Sequence, residues 1–82
     1  MEIQIVRFKD GLDVISYVEA QTEEVELTDP MMFEISNKNL LLQHWLPVAV
    51  MKQNSVKVPR TEILCFMEPN QDFAEYYGSA VS

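Results

Sequence analysis

The sequence is poor in the residues that most often carry chemistry. It contains one cysteine, one histidine and two glycines among its 82 residues. A single cysteine excludes an internal disulfide and is typical of a reducing compartment, so we expect a cytoplasmic protein. His44 and Cys65 are separated in a way that matches no zinc motif, so no metal site is expected.

Motifs of catalysis and of membrane insertion are missing as well. The chain has no nucleophile elbow, Gly-rich phosphate loop, Cys–His signature or paired-carboxylate motif, and Cys65 lies between Leu64 and Phe66 as a core residue would. The longest apolar runs, such as Pro47–Met51, are too short to cross a bilayer. The N-terminus lacks the basic start and continuous apolar segment of a signal peptide. We therefore expect no enzyme, no cofactor and no membrane protein.

Positive charge is scarce and is concentrated in one segment. Thirteen acidic residues face six basic ones, for a net charge of −7, which argues against general attraction to nucleic acid. Half of the basic residues, Lys52, Lys57 and Arg60, lie in "KQNSVKVPR", where no acid intervenes. This basic segment, residues 52–60, is a candidate for phosphate contact, and the alternative is an ordinary solvated loop.

The sequence is rich in patterns that are typical of β-strands. Asp10-Gly11 separates "EIQIVRF" from the alternating "LDVISYVEA" and predicts a two-residue type I′ hairpin turn. A third strand, "VELTDPMMFEI", has a break at Asp29-Pro30, and a turn follows at residues 36–39. Extended structure is predicted through "LLLQHWLPVAVMKQ" because Pro47 disfavours a helix and Val48 and Val50 favour strands. Short strands "VKV" and "TEILCFM" come next.

The tail has the pattern of a short helix. Asn70 is a suitable N-cap, the aromatic residues Phe73, Tyr76 and Tyr77 share one face, and Gly78 is placed to end the helix. An open five-stranded sheet with so little helix could not cover its core. We therefore predict one domain spanning residues 1–82: a small, strongly bent, five-stranded antiparallel barrel over 1–68 and a C-terminal helix over 69–78.

The order of these elements is similar to that of a known family. "IVRFKDGLDVISYVEAQTEEVELTDP" resembles the first three strands of Sm-like (LSm) proteins, and "VKVPRTEILCF" resembles their closing strand–Arg-Gly–strand segment. "HWLPV" and "EILCFMEPNQDFAEYYG" resemble the Sm-like proteins carried by marine bacteriophages. The resemblance implies an SH3-like barrel, a closed homo-oligomeric ring of five to seven subunits, binding of single-stranded RNA or DNA, and the cytoplasm of a host cell.

The resemblance also places a candidate binding surface. Pro59-Arg60 stands where the family has Arg-Gly in its second binding loop, so Lys52, Lys57 and Arg60 are the expected phosphate contacts. His44-Trp45 is a candidate platform for stacking a base, with a core or subunit contact as the alternative for Trp45. The family's first binding loop, Asp-x-x-Asn, corresponds to "AQTEEVEL", which has acidic residues and no asparagine.

The last strands are the candidate contact between subunits. Thr61–Met67 is apolar on both faces, and together with Val56–Val58 it would leave an exposed sheet edge in a monomer. We expect the oligomer interface at Val56, Val58, Ile63, Leu64 and Phe66. A different function fits the same ring: a structural or adaptor protein that binds other proteins and no nucleic acid.

Overall fold

The computed structural model describes all residues, 1–82, as an antiparallel sheet with one helix at its C-terminal end. Two 3₁₀ turns, Val48–Val50 and Arg60–Glu62, lie before and after the fifth strand. The strands and the helix, in chain order, are β1 (Glu2–Phe8), β2 (Asp13–Ala20), β3 (Glu24–Ser36), β4 (Asn39–His44), β5 (Ser55–Pro59), β6 (Ile63–Met67) and α1 (Gln71–Val81).

The first hairpin lies where Asp10-Gly11 predicts it, but its turn is different. Gly11 has a φ of 94°, whereas Asp10 is not among the residues with positive φ. The N–H of Gly11 donates to the carbonyl of Phe8 at 2.9 Å, and the N–H of Phe8 donates to the carbonyl of Leu12 at 2.8 Å. Three residues therefore make the turn, with glycine in the one position that needs it. The predicted type I′ geometry is wrong here.

Positive φ at two successive residues occurs instead between β3 and β4. Asn37 and Lys38 have φ values of 50° and 65°, which is what a type I′ turn requires at its central positions. Asparagine tolerates this conformation because its short side chain bonds locally. The turn predicted at residues 36–39 is confirmed.

The predicted extended segment "LLLQHWLPVAVMKQ" is a strand only in its first part, β4, and the separate short strand "VKV" is present as β5. Both β4 and β5 pair antiparallel with β3, β4 along Met31–Ser36 and β5 along Glu24–Thr28. Residues 45–54, between β4 and β5, lie outside the sheet. Over the same interval β3 advances by only two residues, Asp29 and Pro30. Val48 and Val50, predicted to be extended, lie in a 3₁₀ turn.

The sheet does not close into a barrel. Its strand order is β4-β3-β2-β1-β6, with β5 also on β3, and no ladder joins β5 to β6. The 3₁₀ turn at Arg60–Glu62 carries the chain across the open side instead. It is fixed at one end by the Arg60 N–H donating to the Glu23 carbonyl and at the other by the Lys9 N–H donating to the Glu62 carbonyl. The predicted closure of five strands is therefore wrong, although the mainly β, antiparallel architecture is confirmed.

Each face of the sheet carries its own apolar cluster. The inner cluster is centred on buried residues of β1, β2 and β3 and is joined by half-buried side chains of β5 and β6. The outer cluster forms where α1 packs on the opposite face. The buried inner residues are Val6, Phe8, Val14, Val25 and Leu27, and the buried outer ones are Ile15, Met31 and Tyr77.

Helix α1 begins as the sequence predicts and ends later. The Asn70 side chain accepts a hydrogen bond from the Phe73 N–H at 2.8 Å and caps the helix. The helix continues through Gly78 to Val81, whose side chain packs on the outer cluster. It covers a face of the sheet and not a barrel opening. Phe73 and Tyr77 pack inward as predicted, but Tyr76 is 47% exposed.

Tyr77 ties the helix to an irregular point of β3. Its hydroxyl lies 2.6 Å from the carbonyl oxygen of Asp29 and 3.2 Å from that of Thr28. Asp29 has a φ of 54°, and Pro30 beside it is buried, so the backbone bulges inside the sheet. Burial raises the pKa of the Tyr77 phenol far above its ordinary value. The hydroxyl therefore remains a hydrogen-bond donor at every physiological pH.

A salt bridge on the outer face makes stability depend on pH. Arg7 and Asp13 are cross-strand partners, with Nε 2.8 Å from Oδ1 and Nη2 2.9 Å from Oδ2. The hydrogen bond from Arg7 lowers the pKa of the Asp13 carboxyl. Because the folded pKa is depressed, the bridge stabilises the protein above the unfolded value of about 3.9 and is lost as pH falls through the folded pKa.

The Arg7→Met variant should therefore be slightly less stable than the unaltered protein at pH 7, because exposed ion pairs contribute little to the free energy of unfolding. Urea unfolding at pH 7 and at pH 2 measures the difference from the unaltered protein. The difference should shrink at the lower pH, as the pH falls toward and through the lowered folded pKa of Asp13. An equal deficit at both values would mean that Arg7 acts through its aliphatic stem.

Candidate nucleic-acid interface

The basic segment, residues 52–60, runs along one edge of the sheet. Lys52 lies before β5, Lys57 lies within β5, and Arg60 begins the 3₁₀ turn that follows. All three side chains are exposed, and none takes part in an ion pair, since the only one in the structure joins Arg7 and Asp13. The three predicted phosphate contacts therefore lie along one continuous stretch of chain and are open to solvent.

Carboxylates from the neighbouring strands face this segment. Lys57 of β5 is the cross-strand partner of Glu26 of β3, and Glu26 is in turn the partner of Glu19 of β2. Directly opposite residues have Cβ atoms about 4.5–5.5 Å apart and point to the same face. The Glu26 carboxylate also accepts a hydrogen bond from the Ser55 hydroxyl at 3.3 Å. The positive potential at Lys57 is therefore reduced by acids that lie far away in the sequence.

Arg60 is held in place by the loop between β2 and β3. Its Nε donates to the carbonyl oxygen of Gln21 at 2.8 Å, and its backbone N–H donates to that of Glu23 at 3.0 Å. These bonds use one side-chain donor and leave the guanidinium's terminal N–H groups without a hydrogen-bond partner. Sequence reasoning missed Gln21 because a backbone carbonyl carries no residue-type signal.

A cavity of about 540 Å³ opens beside Arg60. Phe66, Val18 and Ala20 supply apolar surface to its lining, and the carboxylates of Glu2 and Glu19 also border it. An aromatic ring beside a guanidinium suits a flat, polar ligand such as a nucleobase, because the ring can stack and the guanidinium can donate hydrogen bonds. The two carboxylates disfavour phosphate inside this cavity. The structure thus brings Arg60 and Phe66 together, a pairing that the sequence did not indicate.

The predicted stacking pair, His44-Trp45, is divided between surface and core. His44 ends β4 with an exposed side chain. Trp45 is half-buried, and its ring centroid lies 5.2 Å from that of Phe8 in a tilted arrangement. Trp45 packs against the inner cluster, which is the alternative that the sequence left open. Only His44 remains free to contact a ligand at this position.

The predicted interface residues also fall into two groups. Val56, Val58 and Ile63 are half-buried and pack against the inner cluster of the same chain, so only part of each side chain is open to a subunit contact. Leu64 and Phe66 of β6 remain 62% and 38% exposed. Since β6 pairs only with β1, its other edge has no partner strand. The exposed part of the predicted interface is therefore the β6 edge with these two side chains.

Other kinds of site have little support in the geometry. No group of three or more His, Cys, Asp or Glu side chains is arranged to hold a metal ion. Cys65 is half-buried and is the cross-strand partner of Arg7. The single helix is too short and too polar to cross a bilayer.

The comparison with known proteins does not assign the chain to a family. No family model matches the chain, and no curated protein is similar to it. The function is therefore inferred from the residues and the geometry described above.

Proposed function

We propose that the chain is a self-assembling Sm-like module that forms a closed ring of five to seven copies and binds single-stranded RNA or DNA in a cytoplasm. The observation that carries the proposal is the pair of unpaired edges of the sheet. The β6 edge lies at one end, and the edge formed by β4 and β5 lies at the other. Edges of this kind pair head to tail, and such contacts form a ring when the rotation closes.

The basic segment supports the nucleic-acid part of the proposal. One copy offers only three exposed cations there, in a chain of net charge −7. A ring repeats Lys52, Lys57 and Arg60 along one rim, which offsets the effect of Glu26 beside Lys57, and acids more than a Debye length of about 8 Å away are largely screened. Contacts of this type are made to phosphate, so we expect little base preference and a strong dependence on salt.

A second candidate function is an adaptor ring that binds proteins. The observation that favours it is the row of carboxylates beside the basic segment, where Glu19 and Glu26 face Lys57 across the strands. Like charges directly opposite each other destabilise a sheet unless something compensates them. Lys57 lies opposite only Glu26, and a basic segment of a partner protein would compensate Glu19.

A binding titration with matched charge changes tests the proposal. Fluorescent single-stranded homopolymers of RNA and DNA are titrated with the protein at ~50 mM salt, where electrostatic binding is strongest, and again at higher salt. The Lys52→Glu, Lys57→Glu double variant should lose binding, and the unaltered protein should show a slope of about −0.7 in log K against log salt for each phosphate contacted.

The control is a double variant with the same change of net charge elsewhere. Lys9 and Lys38 are also exposed lysines without an ion pair, so Lys9→Glu, Lys38→Glu should keep most of the affinity. Equal loss in both double variants would show that total charge, and not the basic segment, controls binding. No binding by the unaltered protein at ~50 mM salt would favour the adaptor function.

A further inference from the structure

The loop between β4 and β5 exposes an unusual amount of apolar surface. This insertion loop, residues 45–54, lies outside the sheet, although β3, with which β4 and β5 both pair, continues past it. The 3₁₀ turn of the loop, Val48–Val50, has no buried residue. Val50 is 83% exposed, and Pro47 and Ala49 are exposed as well. The loop therefore presents an apolar tip that no other part of the same chain covers.

The insertion loop is held in a defined shape. At its base the Asn54 amide donates to the Asp29 carboxylate at 3.0 Å, and the Asp29 N–H donates to the Asn54 carbonyl at 2.8 Å. At its tip the Val50 N–H donates to the Pro47 carbonyl at 3.1 Å. A loop ordered in this way loses little further entropy when it binds a partner.

A groove of about 610 Å³ lies on the same molecule, between the β1–β2 turn and the β3–β4 hairpin. Leu12, Met32 and Leu41 form its apolar floor, and Leu41 is 54% exposed. Glu34 stands at its rim with an exposed carboxylate that takes part in no ion pair. No residue of the insertion loop lines the groove in its own chain.

We propose that the insertion loop of one copy docks into this groove of a second copy. Val50 would contact the apolar floor, and Lys52, which follows the apolar tip, would pair with Glu34. Both charged side chains lack a partner within the single chain, and their signs are complementary. The inference rests on the proposed self-assembly and names a contact that strand pairing alone does not supply.

Within one copy the insertion loop and the groove lie near the same free edge of the sheet. The insertion loop interrupts the edge formed by β4 and β5. One wall of the groove is the β1–β2 turn, which lies next to the start of β6 because the Lys9 N–H donates to the Glu62 carbonyl at 2.9 Å. The opposite wall of the groove is β4, through Leu41, Leu42 and Gln43, so the groove borders the free edge that the insertion loop interrupts. Lys52 in the groove leaves Lys57 and Arg60 as the phosphate contacts, so light scattering of the Lys52→Glu, Lys57→Glu variant must show that its loss of nucleic-acid binding is not a loss of assembly.

Crosslinking between two different chains tests the contact. A Glu34→Cys chain and a Lys52→Cys chain, each also carrying Cys65→Ser, are mixed, assembled and mildly oxidised. A disulfide requires Cα atoms within about 7 Å, so a dimer band on a non-reducing gel that forms in the mixture and not with either chain alone reports docking. Mixing single variants ensures that a crosslinked product joins two molecules. Adding Val50→Asp to the second chain should abolish the product, although this exposed position leaves the fold unchanged.

The control pair replaces Glu34→Cys with Lys38→Cys, which lies exposed at the turn of the same hairpin. Equal crosslinking by both pairs, or crosslinking that survives Val50→Asp, would overturn the docking. Light scattering on the same samples separates the two proposals. An assembled protein without the heterodimer contradicts the docking and leaves the ring intact, whereas a monomeric protein contradicts both.

Discussion

Replacing Tyr77 with alanine should remove about 3–5 kcal/mol of unfolding free energy, the cost of deleting a large buried aromatic side chain. Tyr77 is 0% exposed and joins α1 to the outer face of the sheet. Its ring centroid lies 5.5 Å from that of Tyr17. Because a small domain has only about 5–15 kcal/mol of stability in total, the loss should leave part of the protein unfolded at room temperature.

Two neighbouring variants show which part of the side chain matters. Tyr77→Phe keeps the ring and removes the hydroxyl that bonds the Asp29 carbonyl, which should cost about 1 kcal/mol. Tyr76→Ala removes an equally large side chain that is half-exposed on the same helix, so its effect should be about 1 kcal/mol or less. Urea unfolding followed by circular dichroism measures all three. Equal losses for Tyr76→Ala and Tyr77→Ala would mean that α1 does not pack through Tyr77.

The sequence predicts local features of the fold well. Asp10-Gly11 locates the first turn, and Asn70 locates the start of α1, because both signals act within a few residues. The alternation of residues between two faces along "LDVISYVEA" predicts the second strand, and β2 spans Asp13–Ala20. The spacing of Phe73 and Tyr77 predicts which side of the helix packs inward. It does not predict which face of the sheet the helix covers. That choice depends on contacts with distant residues such as Ile15 and Met31.

The fourth predicted strand is interrupted because of its contacts with β3, which is distant in the sequence. Val48 and Val50 favour extended structure by propensity, but β3 offers only Asp29 and Pro30 opposite the ten residues between β4 and β5. Pro30 has no N–H to donate to a ladder. The chain opposite therefore leaves the sheet, and Asn54 bonds to Asp29 where it returns. No local pattern in "HWLPVAVMKQN" encodes this event.

The candidate site shows the same limit. The basic segment could be found from the sequence because its cations follow one another along the chain. The Glu26 carboxylate beside Lys57 could not, since it depends on the register between β3 and β5. The bond from Arg60 to the Gln21 carbonyl depends on how the β2–β3 loop meets the 3₁₀ turn. Electrostatics at a sheet edge is thus decided by strand register, which is set by contacts between strands far apart in the sequence and not by a local pattern.

The second large effect is expected at the β6 edge. The double variant Leu64→Lys, Phe66→Lys should convert the proposed ring into a monomer. Both side chains are substantially exposed in the single chain, at 62% and 38%, so lysine at these positions leaves most of the core undisturbed. Lysine on an edge strand is a device by which natural sheets block pairing with another chain. Light scattering at micromolar concentration, with circular dichroism to verify the fold, measures the outcome.

A matched variant carries the same two changes on other exposed apolar residues. Ile35→Lys, Tyr76→Lys alters side chains of the β3–β4 hairpin and of α1, away from β6, and should remain assembled. An oligomeric Leu64→Lys, Phe66→Lys protein would refute assembly through this edge. The monomer should also lose nucleic-acid binding although its basic segment is intact and its net charge is less negative, because both the repetition around the ring and the Phe66 ring beside Arg60 are removed. Linked weak sites bind far more tightly than a single one, so retained binding by the monomer would show that one copy of Lys52, Lys57 and Arg60 is sufficient.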